Sequence, residues 1–334
     1  MRIGLSYDLK GAVPLEEASP EDALEEYDSR ETVGFIAAAL EAGGHSVLML
    51  GGGREFLESI LREKVDMVFN IAEGRGNHHS REAQVPCILE MLGIPYSGSD
   101  SQCLAICLDK PLAKKLVAAE GVCTPRWLLV TDEGDLGQIP WKQFTFPAII
   151  KPVHEGSSKG IRLTSVVDSM ERMREEVSRL LGCYRQPVMV EEFITGDEVT
   201  VGIIGNSPPK VIGMMRILPK NREKHFVYSL EVKRDYQNLV NYECPAQLKD
   251  EVRERITLSS LKVFGVLGCR DFARLDFRVS PDGVPYFLEI NPLPGLGIYS
   301  DLVIMANKLG WTHQELINAV LDAALKRYSQ CVPV

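Results

Sequence analysis

The stretch Arg274-Leu-Asp276-Phe-Arg278, then Ser280-Pro-Asp-Gly283, then Phe287-Leu-Glu289-Ile-Asn291 decides how this chain is read. Two runs that alternate apolar and polar residues, separated by a Pro-Asp-Gly turn, predict a β-hairpin. Side chains alternate faces along a strand, so Arg274 and Asp276 share one face, as do Glu289 and Asn291. Closing the hairpin brings Glu289 opposite or diagonal to Arg274 and Asp276, and even diagonal neighbours lie only about 7–8 Å apart. Asp276, Glu289 and Asn291 then offer a convergent set of oxygens suited to a hard cation such as Mg²⁺. A surface hairpin with salt-bridged charges is the plainer alternative. Leu275, Phe277, Leu288 and Ile290 instead predict an apolar, central hairpin, where buried charge needs a reason.

Outward from the hairpin, residues 1 to about 100 alternate strand and helix patterns, predicting a parallel α/β sheet. Strands are expected at Arg2–Ser6, Ser46–Leu50 and Asp66–Ile71, and helices at Thr32–Ala42, Glu55–Glu63 and Glu82–Leu92. Leu9–Asp28, acidic and containing Pro14 and Pro20, reads as a surface excursion or mobile flap. Ser101–Ala119 is a helical region interrupted by Pro111, which suits a first helical turn. A small α+β lobe follows, with strands at Pro125–Val130, Phe146–Pro152, Gly160–Thr164 and Val188–Phe193 and a helix at Val167–Leu181. Strands Glu198–Ile204 and Val211–Leu218, a helix Ala246–Phe264, the hairpin, and helices Asp301–Leu309 and His313–Tyr328 complete the chain. Three lobes are expected: 1–100, 101–188 and 189–334.

At 334 residues the chain exceeds one ordinary core, and 45% hydrophobic with 25% charged residues is a soluble globular composition. A net charge of −9 argues against a nucleic-acid partner. No run is apolar for long enough to span a bilayer, and Met1-Arg-Ile-Gly-Leu5 begins a strand rather than a signal peptide. The eight cysteines are scattered, with no Cys-x-x-Cys pair. Several sit within apolar runs and read as buried thiols in a reducing cytoplasm, and neither a zinc site nor a disulfide framework is indicated.

Lys151-Pro-Val-His-Glu-Gly156-Ser157-Ser158-Lys159-Gly160 ends an apolar strand in a glycine- and serine-rich loop. Its N–H and hydroxyl groups suit phosphate oxygens, although a polar hairpin turn has the same composition. Glu191-Glu192-Phe193-Ile194 and Gly196-Asp197-Glu198 place carboxylates at adjoining strand ends, fit to accept from an adenine amine or ribose hydroxyls or simply to be solvated. Lys110 alone reads as a surface lysine, and His78-His79 as a loop pair without metal partners.

In order, Asp109-Lys110, Lys151-Pro, Glu155-Gly-Ser-Ser158, Glu191-Glu-Phe193, Gly196-Asp-Glu198-Val-Thr-Val, Arg274-Leu-Asp276 and Leu288-Glu-Ile-Asn291-Pro with Pro294-Gly295 resemble an ATP-grasp enzyme. The likeness is to D-alanine–D-alanine ligases, with Tyr96-Ser-Gly98-Ser99 and Cys244-Pro-Ala as further landmarks, over nearly the whole chain beyond Leu40. The resemblance implies an N-terminal α/β lobe and two α+β lobes clasping ATP. Lys110, Lys151 and Lys233 would hold the phosphates under the Gly156–Ser158 loop. Glu191, Phe193 and Ile194 would receive adenine, and Glu198 the ribose. Asp276, Glu289 and Asn291 would coordinate two Mg²⁺ ions, with Mn²⁺ able to substitute. It further implies that a substrate carboxylate attacks the γ-phosphate to give an acyl phosphate, and that an amine then forms the amide. Arg274 and the Gly295 N–H would stabilise the oxyanion, with Ser157 and Lys233 assisting. A cytoplasmic homodimer serving peptidoglycan biosynthesis is the family expectation.

The departures fall on the amino-acid side. Glu73 stands where the family has histidine in its first-lobe motif. The glutamate that holds the first ammonium has Glu25, Glu26 or Glu31 as replacements, Glu31 being preferred, and Ser300 is the candidate for the acceptor carboxylate. A Lys-Tyr pair in the mobile loop His225–Asn238 becomes Lys233-Arg234. Arg75 and Arg81 suggest an extra carboxylate site or solvated surface charge. Alternatives are therefore a ligase of another amino-acid or peptide pair, a non-catalytic ATP-binding regulator, or an α/β metabolic enzyme with a coincidental hairpin.

Overall fold

The structure is a computed structural model that describes residues 1–15, 19–137, 139, 141, 144–221 and 223–328. Residues 16–18 of the acidic excursion, and Cys331, lie outside the described residues.

β1 (Arg2–Ser6), β2 (Ser46–Gly51) and β3 (Met67–Asn70) pair in parallel in the order β2-β1-β3, as the alternation predicts. α1 (Arg30–Ala42), α2 (Gly53–Arg62) and α3 (Gln84–Leu92) flank them. The Ser29 side chain caps α1 by accepting from the Thr32 N–H at 3.1 Å. The helical region at 101–119 is interrupted beside Pro111, as the sequence predicts. α4 (Ser101–Leu108) stops at Asp109, whose carboxylate caps α5 (Lys110–Ala119) through the Leu112 N–H. Pro111 sits in the first turn of α5, where a missing N–H costs nothing. The break sets Lys110 at the head of α5, buried and not on the surface.

β4 (Trp127–Val130), β5 (Ala148–Pro152), β6 (Val166–Val167) and β7 (Val188–Glu192) form an antiparallel sheet in the order β4-β7-β5-β6. α6 (Met170–Tyr184) covers it with Met173, Val177 and Leu180. The strand predicted at Gly160–Thr164 does not form. Gly160 takes φ +76°, and the Ser165 hydroxyl accepts from the Arg162 N–H, so local turns consume the groups a ladder would need. Only Val166 and Val167 pair with β5.

β8 (Asp197–Ile204) and β9 (Lys210–Pro219) open the third sheet. Two short helices, α7 (Leu230–Arg234) and α8 (Tyr236–Leu239), and strand β10 (Val240–Glu243) follow; the sequence patterns showed none of the three. α9 (Asp250–Val266), β11 (Phe272–Val279), β12 (Pro285–Asn291), α10 (Asp301–Lys308) and α11 (His313–Leu325) complete the elements. The order β10-β9-β8-β11-β12 corrects the central placement of the hairpin, because β11 is internal but β12 is an edge. That edge is covered. The Phe287 N–H donates to the Cys123 carbonyl at 2.8 Å, and the Phe287 carbonyl accepts from Lys114 Nζ and Thr124 Oγ1, each at 3.1 Å.

Two cores hold these layers. One packs α4, α5 and α9 on the five-stranded sheet through Cys103, Val117, Ile256, Phe264, Leu275 and Phe287. The other joins the first sheet to the last helices, with Ile3, Leu5, Phe69, Leu302, Leu316 and Val320 in one cluster.

Candidate active site

The hairpin register pairs Arg274 with Asn291 and Asp276 with Glu289. On its other side β11 pairs Asp276 with Thr200 and Arg278 with Glu198, so one face of the sheet carries an unbroken polar row. The Asp276 carboxylate accepts from Thr200 Oγ1 at 2.9 Å and from Arg274 Nη2 at 2.9 Å. Arg274 Nη1 reaches Asp301 at 3.5 Å, and Lys110 Nζ stands 3.3 Å from Glu289.

This row forms one wall of a cavity of about 670 Å³, and the central sheet forms the other through Ile149, Lys151 and the segment Glu191–Ile194. Lys151 Nζ meets Glu191 at 2.9 Å, and the buried Lys114 Nζ meets the second Glu191 oxygen at 2.7 Å. The Glu191 carboxylate is thus committed to two lysines. Burial opposes its ionisation, but Lys114 and Lys151 together hold it below the usual carboxylate range. Burial also pulls Lys114 down to about 8. Across the cavity, Arg278 lies 4.3 Å over the Phe193 ring and 3.8 Å from Glu198.

Ser157 and Ser158 both take left-handed conformations, φ +50° and +59°. Two consecutive non-glycine residues there mark a backbone held by its surroundings. The Ser158 hydroxyl donates to the Tyr228 carbonyl at 2.9 Å, fastening this loop to the segment that carries Lys233.

A second cavity, about 1230 Å³, is lined by Ser157, Lys233, Arg274, Asn291, Gly295 and Ser300 together with Glu26, Asp28 and Glu73. It meets the first at Tyr228, Lys233, Arg274 and Asp301, which line both. A smaller cavity with Lys110, Gly156, Glu289, Asn291, Glu73 and Glu82 joins them from below. The structure therefore brings together every predicted site residue but one. Glu31 sits exposed in the first turn of α1, outside all three cavities. The buried Glu26 lines the second cavity instead, held by Arg81 at 2.8 Å and Lys159 at 3.0 Å.

Arg81 itself is fully buried and not solvated, bonded to Glu26, to Glu155 and to the His154 carbonyl. Arg75 pairs with Asp8 at 2.8 Å. Gly74 accounts for the tight packing of this stretch. Its φ is +81°, its N–H donates to Asp8, and a Cβ there would stand 2.0 Å from the Arg81 carbonyl oxygen.

Burial raises Asp276 although Arg274 opposes the shift. Glu289 goes the other way: desolvation is outweighed by Lys110, Lys151, Arg274 and Lys233, which hold it at about 2. Lys233 is lowered by burial and by Arg274. On the first-lobe side, burial raises Asp28 to about 7 and Glu82 to about 7, and Glu73 rises well above its usual range through burial and Glu82. Two clusters of carboxylates thus face one space, one pinned ionised by lysines and one partly neutral.

Sequence reasoning missed Lys114, Arg278, Tyr228 and Asp301, and named Glu26 only as one of three possible ammonium-holding glutamates. Lys114 follows Lys110 by one helical turn, and Arg278 continues the period-two row from Arg274, so both signals were present. Nothing in the sequence separates Glu26 from its acidic neighbours.

Two sheets closing on a polar cavity, with lysines on one wall and carboxylates plus an arginine on the other, define an ATP-grasp ligase. The family model described as the D-ala D-ala ligase C-terminus matches residues 116–322. The chain is 36% identical over 294 residues to the D-alanine–D-alanine ligase of Aquifex aeolicus, covering 88% of this chain and 94% of that one. It is 32% identical over 303 residues to an uncharacterised protein of Sinorhizobium fredii, y4sG, covering 88% and 87%. The crystal structure of the D-alanine–D-alanine ligase from Bacillus anthracis complexed with ATP superposes with a TM-score of 0.74 at 25% identity, over 98% of each chain. The chain belongs to the D-alanine–D-alanine ligase family, and it is an ATP-dependent ligase.

Proposed function

We propose that this enzyme joins two small amino acids through an acyl phosphate, and that D-alanine supplies both. One observation carries the reading. Arg274 and Lys233 line both cavities, so a nucleotide on one side and a carboxylate on the other meet at the same two cations. Lys110, Lys151 and Lys233 hold the phosphates, and the Gly156–Ser158 loop covers them. Glu191, Phe193 and Ile194 face the adenine, and Glu198 the ribose.

Asp276, Glu289 and Asn291 offer only hard oxygen donors on paired strands, which suits Mg²⁺ and, in its place, Mn²⁺. Two such ions would neutralise charge on the transferring phosphoryl group. The substrate carboxylate attacks the γ-phosphorus, ADP leaves, and the amine of the second amino acid attacks the acyl carbon and expels phosphate. Arg274 and the Gly295 N–H bind the oxyanion that develops. In the first lobe, Glu73 and Glu26 face the first ammonium in place of Glu31, and Ser300 faces the acceptor carboxylate. Ser157 lies between the cavities and positions the first amino acid. Lobes at 1–100, 101–188 and 189–334, a homodimer, and a cytoplasmic location complete the proposal; among the described residues no helix is long and apolar enough to cross a membrane.

Turnover of Mg²⁺-ATP against a matrix of D- and L-amino acids, with product masses recorded, tests this. ADP release with D-alanyl-D-alanine as the sole product is expected. A different dipeptide as the main product refutes the D-alanine assignment.

A further inference from the structure

We propose that Cys103, Cys107 and Cys269 form a binding site for one soft d¹⁰ ion, monovalent copper, in the wall of the active-site cavity. Cys103 and Cys107 are one turn apart on α4, so their sulfurs leave the same face. Cys269 arrives from the segment that leads into β11. Cys103 Sγ stands 3.8 Å from Cys107 Sγ and 3.6 Å from Cys269 Sγ, and all three sulfurs lie within 4.8 Å of one another. Sulfurs bonded to one ion at about 2.3 Å stand about 3.8–4.0 Å apart, so the trio is already close to that spacing.

The three residues are between 2% and 7% exposed, whereas Cys87, Cys123 and Cys183 are on the surface. Among the described residues no fourth histidine, cysteine or carboxylate completes the group. Structural zinc asks for four ligands, and three thiolates in apolar surroundings suit a soft monovalent ion better. Cys107 also lines the cavity that holds Lys110, Glu289 and Asn291, which gives the ion a way in. Binding forms sulfur–metal bonds and releases the thiol protons displaced from those sulfurs. Hard oxygens on β11 and β12 and soft sulfurs behind them then sort ions by hardness within one site.

The test is an anaerobic titration of the full chain, reduced, against a Cu(I)–bicinchoninate complex, paired with X-ray absorption of the product. One equivalent of copper withdrawn, with three sulfurs at about 2.3 Å, is expected. Cys269→Ser should weaken retention at least 10-fold, while Cys183→Ser, on exposed α6 surface, should leave it unchanged. No withdrawal of copper, equal loss in both variants, or tighter retention of Zn(II) overturns the proposal. Should Cys269→Ser not fold, the wild-type absorption spectrum decides: a copper shell of nitrogen or oxygen, or of two sulfurs, refutes the site.

Discussion

Glu289 shows how far a single side chain is set by its neighbours. Four cations hold its folded pKa at about 2 against a usual 4.5, so its contribution to stability is present above about pH 4.5 and is lost as pH falls toward 2. Glu289→Gln should cut ADP formation by about 100-fold or more while circular dichroism stays native; wild-type turnover in that variant would remove its metal role. Asp28 carries the opposite sign. Its folded pKa of about 7 lies above the usual 3.8, so the folded chain binds the extra proton and this stabilisation fades as pH rises through 7. Asp28→Asn should flatten the fall in melting temperature between pH 5 and 8, and an unchanged slope would contradict the assignment. At this scale the metal candidates were legible, because strand alternation fixes which side chains share a face, whereas Lys110 and Lys233 came only with the ordered motifs of the family. The burial of Glu26 and Arg81 was not legible, because a buried ion pair and a solvated charge look identical in sequence.

At the scale of elements, the later part of the acidic excursion, residues 19–28, is tied down on both sides. Asp22 is buried and its carboxylate accepts from the Tyr184 hydroxyl at 2.6 Å and the Gly160 N–H at 2.9 Å, while Arg234 on α7 reaches Glu21 at 3.0 Å and also meets Glu25. The two anchors differ in kind. Losing a buried acceptor leaves donors unsatisfied at about 1–3 kcal/mol each, whereas an exposed, solvent-screened ion pair contributes little. Asp22→Ala should open residues 19–28 to limited proteolysis, and Arg234→Ala should leave them protected; the reverse ranking would overturn this account. The long strands and amphipathic helices were readable from periodicity. β10, α7 and α8 were not: each is four or five residues long, too short for a period to register, and they exist because Val232, Tyr228 and Val240 share a small apolar cluster.

For the whole molecule, the informative feature is the core that joins β1 and β3 to α10 and α11. Periodicity reveals that Ile3 and Leu5 share one face of β1 but not which helix covers it, so this closure between the first sheet and the last helices was illegible. Leu316, fully buried there, should cost about 2–5 kcal/mol when cut to alanine, read as a single shift of the unfolding curve. Residues 1–100 alone should lack cooperative unfolding, since their sheet loses the cover supplied by Leu302, Leu316, Ile317 and Val320. A sharp melting transition in that fragment would refute the shared core.

That closure also sets an order of events during synthesis. Translation delivers the first sheet early, yet the helices that roof it are made only after the two later sheets. Arg327, just past α11, donates to the Tyr96 and Gly98 carbonyls and pairs with Asp271 at 2.6 Å, a clasp that forms only once the segment after α11 has been made. Arg274 and Lys233 therefore face a finished first lobe only after α10 and α11 are in place, and a chain stopped short of them has no completed site in which to turn over ATP.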